Sequence, residues 1–179
     1  MKVALALLAV VLVGCGSGAA ASTPPPPLPV LSAPAGLTGS RHAVSAADLV
    51  KDAPVAGLAA KLDTFGFEGG TEADYRGAGR RFSVVTSRTL QFTSAAGARG
   101  FVAMVGSHAP AYEGGVSMAA PIRSAGRRGF VLNAGACGCA TEVPQLLAVV
   151  SAGRRVSWLE ATGKGATRAA VAALLAQAP

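Results

Sequence analysis

The segment QLLAVVSAGRRVSWLEATG, at residues 145–163, carries two strand-like stretches joined by a short link that contains one glycine. Gln145 to Val150 and Arg155 to Ala161 are rich in β-branched, aromatic and large aliphatic side chains, which favour an extended backbone. The link at residues 151–154 has room for little more than a tight turn. The segment therefore predicts an antiparallel β-hairpin, and the rest of the fold is built outward from it.

Three earlier stretches also have strand character. Arg81 to Thr93 combines β-branched and aromatic residues, and Ser117 to Ile122 and Gly129 to Leu132 are shorter stretches of the same kind. Gly77-Ala78-Gly79, before the first of them, predicts a turn. Because consecutive strands joined by short turns pair side by side, these stretches favour an antiparallel sheet.

Helices are predicted between and around the strands. Ser94 is a good N-cap, and after it Ala98, Phe101, Val102 and Val105 share one helical face. Helical pattern also begins at Ser45 and recurs in an Ala/Leu-rich stretch at the end of the chain. The fold class is thus α+β, an antiparallel β-sheet with helices packed on it. The order strand–strand–helix occurs twice, which suggests two related halves.

The N-terminus has the pattern of an export signal. Lys2 precedes about a dozen apolar residues, which is short of the ~20 that a spanning helix needs. Leu12-Val13-Gly14-Cys15 resembles the lipobox of bacterial lipoproteins, which implies cleavage before Cys15 and a lipid on its thiol. A plain secretory signal, or a buried helix with an incidental cysteine, is the alternative.

The lipobox and the composition after it predict the organisation of the chain. Residues 1–14 are expected to be a lipoprotein signal peptide, residues 15–44 a lipidated cysteine with a proline-rich linker, and residues 45–179 a single α+β domain. The predicted location is the outer face of the cytoplasmic membrane, in the cell envelope, with the membrane bound through the lipid on Cys15.

The charge narrows the classes of partner. The formal net charge is +7, and Lys and Arg together number 16 against 9 acidic residues. A basic envelope protein is expected near anionic headgroups or wall polymers, so an envelope protein, a glycan or a lipid is the expected partner. No nucleic-acid motif interleaves basic and aromatic residues, and no nucleic acid or cofactor is expected.

Three arginine pairs each precede a predicted strand. If the strand ends lie together, the pairs would form one edge that attracts anions. The alternative is that they are solvated turn residues that keep the sheet edges soluble. The anion-contact candidates are Arg80, Arg81, Arg127, Arg128, Arg154 and Arg155.

Two cysteines remain after Cys15. Cys137 and Cys139 flank Gly138, and at this spacing an extended chain holds the Cα atoms near the upper limit for a disulfide. A local disulfide is the favoured interpretation for an oxidising compartment. A metal pair, a redox-active pair and free thiols remain open, although no further metal ligands are evident nearby, and no metal site is predicted.

No residue is predicted to be catalytic. His42 falls in the predicted linker, and His108 follows the middle helix without a Gly-x-Ser-x-Gly elbow around Ser107. Gly163-Lys164-Gly165-Ala166-Thr167 fails the phosphate-loop pattern and predicts a strand-to-helix connection. The acidic residues show no paired spacing that indicates catalysis.

The element order and the closing Trp158-Leu159-Glu160-Ala161-Thr162-Gly163, followed by a helix, resemble two groups of proteins. These are the PsbP-like envelope lipoproteins of actinobacteria and the extracellular sensor domains of some mycobacterial kinases. The resemblance covers residues 45–178, and it implies an exported α+β binding domain. Three functions follow in order of preference: a non-enzymatic ligand- or partner-binding module, a carrier or chaperone of an apolar envelope molecule, and a hydrolase with scattered site residues.

Overall fold

The computed structural model describes residues 27–52, 55, 57–108, 119–133 and 143–179. Within them the chain forms seven strands and four helices. The strands are β1 Leu37–Val44, β2 Phe67–Gly77, β3 Val84–Phe92, β4 Ala120–Ser124, β5 Arg127–Asn133, β6 Gln145–Ala152 and β7 Arg155–Thr162. The helices are α1 Ala46–Asp52, α2 Leu58–Phe65, α3 Ala95–Ser107 and α4 Arg168–Gln177.

All the strands belong to one antiparallel sheet in the order β1-β2-β3-β7-β6-β5-β4. The predicted hairpin is present as β6 and β7, with Gly153 in the left-handed region at φ 55° in its turn. The sheet consists of two meanders, β1–β3 and β4–β7, each followed by a helix, and they meet where β3 pairs with β7. This confirms the predicted α+β class with helices packed on an antiparallel sheet.

Both faces of the sheet are buried. Along β6, Leu147 and Val149 face one apolar cluster while Leu146, Ala148 and Val150 face the other. Because side chains alternate along a strand, a strand covered on both sides reads as a continuous apolar run rather than an alternating one. The continuous apolar run at residues 146–150 is therefore explained by the helices that cover both faces of β6.

The helices divide between the two faces. Helices α1, α2 and α3 cover the face that carries Phe92 and Trp158, and α4 covers the face that carries Val85 and Leu159. Ser94 caps α3 as predicted, since its side chain accepts a hydrogen bond from the Gly97 backbone N–H. On the face that α4 covers, β2 and β3 are covered by another part of the chain.

That cover is the segment before β1, and it corrects the predicted domain boundary at residue 45. The hydroxyl of Thr71 accepts from the Leu28 N–H, and the hydroxyl of Thr89 donates to the Pro29 carbonyl. Leu31, one of the most buried side chains in the molecule, lies where Tyr75 donates a hydrogen bond to its carbonyl. A proline-rich composition thus predicted a linker where residues 28–31 bind the sheet through backbone hydrogen bonds and the buried Leu31 side chain.

The same correction applies to residues 37–44, which form the edge strand β1. Its register with β2 pairs His42 with Glu72, so this histidine lies in the sheet and not in a linker. The side chains between Leu37 and Val44 are exposed, which removed the apolar signal that identifies a strand in a sequence. Helix α1 follows directly, as predicted from Ser45.

Ser45 and Asp48 cap the start of α1. The Ser45 hydroxyl and backbone N–H both donate to the Asp48 carboxylate, and these hydrogen bonds lower the pKa of Asp48. A carboxyl whose pKa is lower in the folded than in the unfolded chain stabilises the fold above the unfolded-state pKa. That stabilisation is lost as the pH falls through the folded-state pKa.

Leu31→Ala tests whether the proline-rich segment belongs to the folded domain. We expect a loss of about 3 kcal/mol in the free energy of unfolding, because the substitution leaves a cavity in place of a fully buried side chain. Urea denaturation measures this loss. Val50→Ala is the control, since Val50 is 38% exposed and its truncation should change the stability by less than about 0.5 kcal/mol. Equal effects of the two substitutions would contradict the assignment.

Candidate functional site

The three arginine pairs do not form one edge. Arg127–Arg128 begins β5 and Arg154–Arg155 lies at the β6–β7 turn, so both pairs are at the end of the sheet that holds the β4–β5 and β6–β7 turns, here called the hairpin end. Arg80–Arg81 precedes Val84, which pairs with Thr162 at the opposite end. Roughly eight residues of strand, or about 25 Å, therefore separate that pair from the others.

Arg127 has a structural partner. Its guanidinium donates to the carbonyls of Leu175 and Ala178, at the C-terminus of α4. Cations at this position satisfy helix-end carbonyls and complement the helix dipole. We therefore assign Arg127 to the anchoring of α4 rather than to anion contact.

One other arginine of the hairpin end, Arg128, borders a cleft, here called the arginine cleft. It has a volume of about 350 Å³ and lies between α3, the start of β5 and the end of β6. Arg99 and Arg128 line it, and the Phe130 ring lies against Gly106, where a Cβ would come within 3.0 Å of the ring. The complete lining is Arg99, Val102, Ala103, Gly106, Arg128, Gly129, Phe130 and Ser151.

A third arginine, Arg123, lies beside the lining residue Arg128 without being part of the lining. Arg123 pairs directly with Arg128 across β4 and β5. Arg99, Arg123 and Arg128 are all exposed, and among the described residues no carboxylate lies within salt-bridge distance of them. The arginine cleft thus combines an apolar floor with a cationic rim, which is the arrangement that receives an anionic group.

A polar row crosses the first meander on the face of α1–α3. Glu72 is buried between His42 and Arg88, with its Oε1 3.0 Å from Nε2 of His42 and its Oε2 accepting from Nε of Arg88. The strand register produces this contact, because His42, Glu72 and Arg88 are direct partners across β1, β2 and β3. Burial of a charge without such pairing would cost several kcal/mol.

The row continues onto the second meander. The Arg88 guanidinium lies 5.5 Å from the centre of the Trp158 ring, and the indole N–H donates to Glu160. Two residues before Arg88 in β3, the Thr86 hydroxyl donates a hydrogen bond of 2.7 Å to Asp74. These contacts hold the carboxylates and the guanidinium in defined positions where β3 pairs with β7.

Part of this row has metal-ligand chemistry. Donor atoms of His42, Glu72 and Asp74 lie within 4.8 Å of one another. Imidazole and carboxylate together suit divalent transition metals. However, Arg88 already neutralises Glu72, so the geometry is that of an ion-pair network, and we assign no metal to it.

His108 has the role of a helix-end residue. It caps the C-terminus of α3, and its Nδ1 lies 2.9 Å from the Met104 carbonyl and 3.1 Å from the Ser107 hydroxyl. The Ser107 hydroxyl donates to the same Met104 carbonyl. Both side chains thus contact the last turn of the helix.

Two other predicted features have different outcomes. Residues 163–167 connect β7 to α4, with the Thr167 side chain accepting from the Ala170 N–H, as predicted for a strand-to-helix connection. Cys15, Cys137 and Cys139 lie outside the described residues, so the lipid attachment and the local disulfide stay predictions.

The sequence patterns do not indicate most of this polar network, nor Arg99 in the cleft lining and Arg123 beside it. Glu72 and Asp74, Thr86 and Arg88, and Trp158 and Glu160 each lie two residues apart, so each pair shares one side of its strand. That spacing was visible, but β2 was not recognised as a strand. The missed residues are Glu72, Asp74, Thr86, Arg88, Arg99, Arg123, Trp158 and Glu160.

Comparisons with known proteins identify the fold. No protein-family model and no curated protein matches the chain. Among solved structures, the chain is similar to the extracellular domain of PknH from Mycobacterium tuberculosis, with a TM-score of 0.52 and 13% sequence identity over 79% of this chain and 83% of that one. The predicted resemblance to kinase sensor domains is thereby supported at the level of the fold. None of the described helices is long and apolar enough to cross a membrane.

A double-mutant cycle tests the buried ion pair. Glu72→Ala alone should lower the free energy of unfolding by about 3–5 kcal/mol, because it leaves the Arg88 guanidinium buried beside an empty site. The coupling between Glu72→Ala and Arg88→Met should exceed about 1 kcal/mol. The same cycle with Asp74→Ala and Thr86→Val, whose side chains are half-exposed, should give a smaller coupling. Additive effects at Glu72 and Arg88 would refute the pairing.

Proposed function

We propose that this chain is a non-enzymatic, extracytoplasmic binding module that receives an anionic ligand or partner at the arginine cleft. Its place in the envelope would be the outer face of the cytoplasmic membrane, held there by lipid on Cys15. The observation that carries the proposal is the presence of Arg99 and Arg128 in the lining of one apolar cleft, with Arg123 paired beside Arg128. The similarity to an extracellular domain is compatible with it.

The charge of the cleft rim supports an anion rather than a neutral ligand. Guanidinium groups bind phosphate and carboxylate through two parallel hydrogen bonds, and they lose less hydration than ammonium groups do. The exposed Arg99 and Arg128 side chains are available for such hydrogen bonds, because no described carboxylate lies within salt-bridge distance of them. The apolar floor at Val102 and Phe130 adds contact area for a ligand with a nonpolar part.

The alternative function, a carrier of an apolar molecule, has less support. Large side chains from the helices, the strands and the N-terminal segment fill the two apolar clusters on either side of the sheet. The arginine cleft and a second cleft beside Val131 and Leu146 each measure about 350 Å³ and open to the surface. This packing favours surface binding over enclosure of a ligand in the core.

Arg99→Gln combined with Arg128→Gln tests the arginine cleft. The experiment uses the chain from residue 15 with Cys15→Ser as its reference. We expect the double variant to bind inorganic pyrophosphate at least about tenfold more weakly than this reference, since each charged hydrogen bond contributes about 1.5–3 kcal/mol. Changes in NMR amide shifts during a titration measure the affinity. Arg80→Gln with Arg81→Gln removes the same charge at the other end of the sheet and should leave the affinity nearly unchanged. Equal loss in both double variants would contradict the cleft assignment.

Mass spectrometry of the chain from native membranes tests the anchor. We expect the mature N-terminus to be Cys15 with a diacylglyceryl group on its thiol, because residues 12–15 have the lipobox pattern. Cys15→Ser should release the chain from membranes washed at high salt, because salt screens the attraction between the basic chain and anionic lipids. An unmodified N-terminus at another residue would refute the lipoprotein assignment.

A further inference from the structure

We propose that the hairpin end of the sheet docks on an anionic phospholipid surface, so that the phosphate groups met by the arginine cleft are those of the membrane that holds the lipid anchor. This inference rests on the proposed function and deepens it by naming the source of the anion. It follows from the placement of the arginines and from the direction in which the N-terminal segment reaches the sheet.

The hairpin end has a concentration of exposed cations that the fold itself does not require. Arg123 and Arg128 are direct cross-strand partners, and like charges in that position destabilise a sheet. The β6–β7 turn adds Arg154 and Arg155. With Arg99 these are five exposed arginines, at Arg99, Arg123, Arg128, Arg154 and Arg155.

The N-terminal segment arrives close to this end. Leu28 and Pro29 bind Thr71 and Thr89, and the chain then proceeds away from the hairpin end until Leu31 meets Tyr75. Gln91, two residues beyond Thr89 on the same side of β3, accepts a hydrogen bond from Arg155 at 3.4 Å. The segment that leads back to Cys15 therefore reaches the sheet about 7 Å from the Arg155 site.

The length of chain before this point suits contact with the membrane. Residues 16–26 separate Cys15 from Pro27, and fully extended they span at most roughly 40 Å. A tether of this length confines the domain to a thin layer in which surface attraction acts on the nearest cations. Each arginine close to an anionic surface strengthens binding roughly fivefold.

Acidic residues mark the limit of the proposed surface. Asp63 and Glu68 are exposed where α2 ends and β2 begins, on the β1–β2 side of the same sheet end. The cationic surface therefore covers the β4–β7 half. This arrangement would place the β4–β5 and β6–β7 turns against the headgroups and keep the polar row at Glu72 and Arg88, in the middle of the strands, away from them.

Vesicle co-sedimentation tests the docking surface with the Cys15→Ser chain from residue 15, so that lipid insertion does not contribute. The probes are vesicles of phosphatidylcholine alone and vesicles of phosphatidylcholine mixed with phosphatidylglycerol. We expect binding only to the mixed vesicles and its loss at high salt. Arg154→Gln with Arg155→Gln should lower the partition coefficient about 25-fold, whereas Arg80→Gln with Arg81→Gln should lower it about twofold at most.

The outcomes separate this proposal from the proposed function. Equal losses in the two double variants would overturn the docking surface, because net charge alone would then explain vesicle binding. Pyrophosphate binding that depends on Arg99 and Arg128, without recruitment to mixed vesicles, would overturn membrane docking and leave the anionic-ligand function intact. Failure of both probes would overturn both proposals. Matching urea midpoints for all variants exclude loss of folding as the cause.

Discussion

The antiparallel pairing of β3 with β7 is the constraint on which the rest of the structure depends. It joins two meanders that are far apart in sequence, and it aligns Arg88 with Trp158 and Thr86 with Glu160. A shift of one residue would turn the side chains of one strand to the opposite face, away from the groups that they contact on the other strand. Since both faces are buried by helices or by the N-terminal segment, such a shift is strongly disfavoured.

The buried Glu72–Arg88 pair lies beside this junction, and its energetics favour one strand register over the alternatives. A buried ion pair adds little net stability over apolar side chains of similar volume, but removal of one partner is costly. The pair therefore acts mainly against alternative registers, in which one charge would be buried alone. The contacts of Arg88 with Trp158 and of Trp158 with Glu160 extend that selection across the junction between the meanders.

Charge is distributed unevenly around this framework. Glu72 and Asp74 of the first meander lie in the polar row, while Arg123, Arg128, Arg154 and Arg155 are exposed at the turns of the second meander. Arg127 shows that position alone does not assign a role, because its guanidinium caps α4. The proposed binding surface thus consists of the arginines that the fold leaves exposed, next to the point where the N-terminal segment reaches the sheet.

The sequence by itself determined the hairpin at residues 145–161, the N-cap at Ser94 with its helix, and the α+β class, because local periodicity and capping record these features directly. Only the tertiary structure decided that residues 28–44 belong to the domain, that Arg80–Arg81 lies apart from the other pairs, and that His42, Glu72 and Arg88 meet. Edge strand β1 exposes its side chains, and extended segments leave no periodic signal of what they cover. Contacts between strands depend on register across distant parts of the chain, and no local pattern specifies that register.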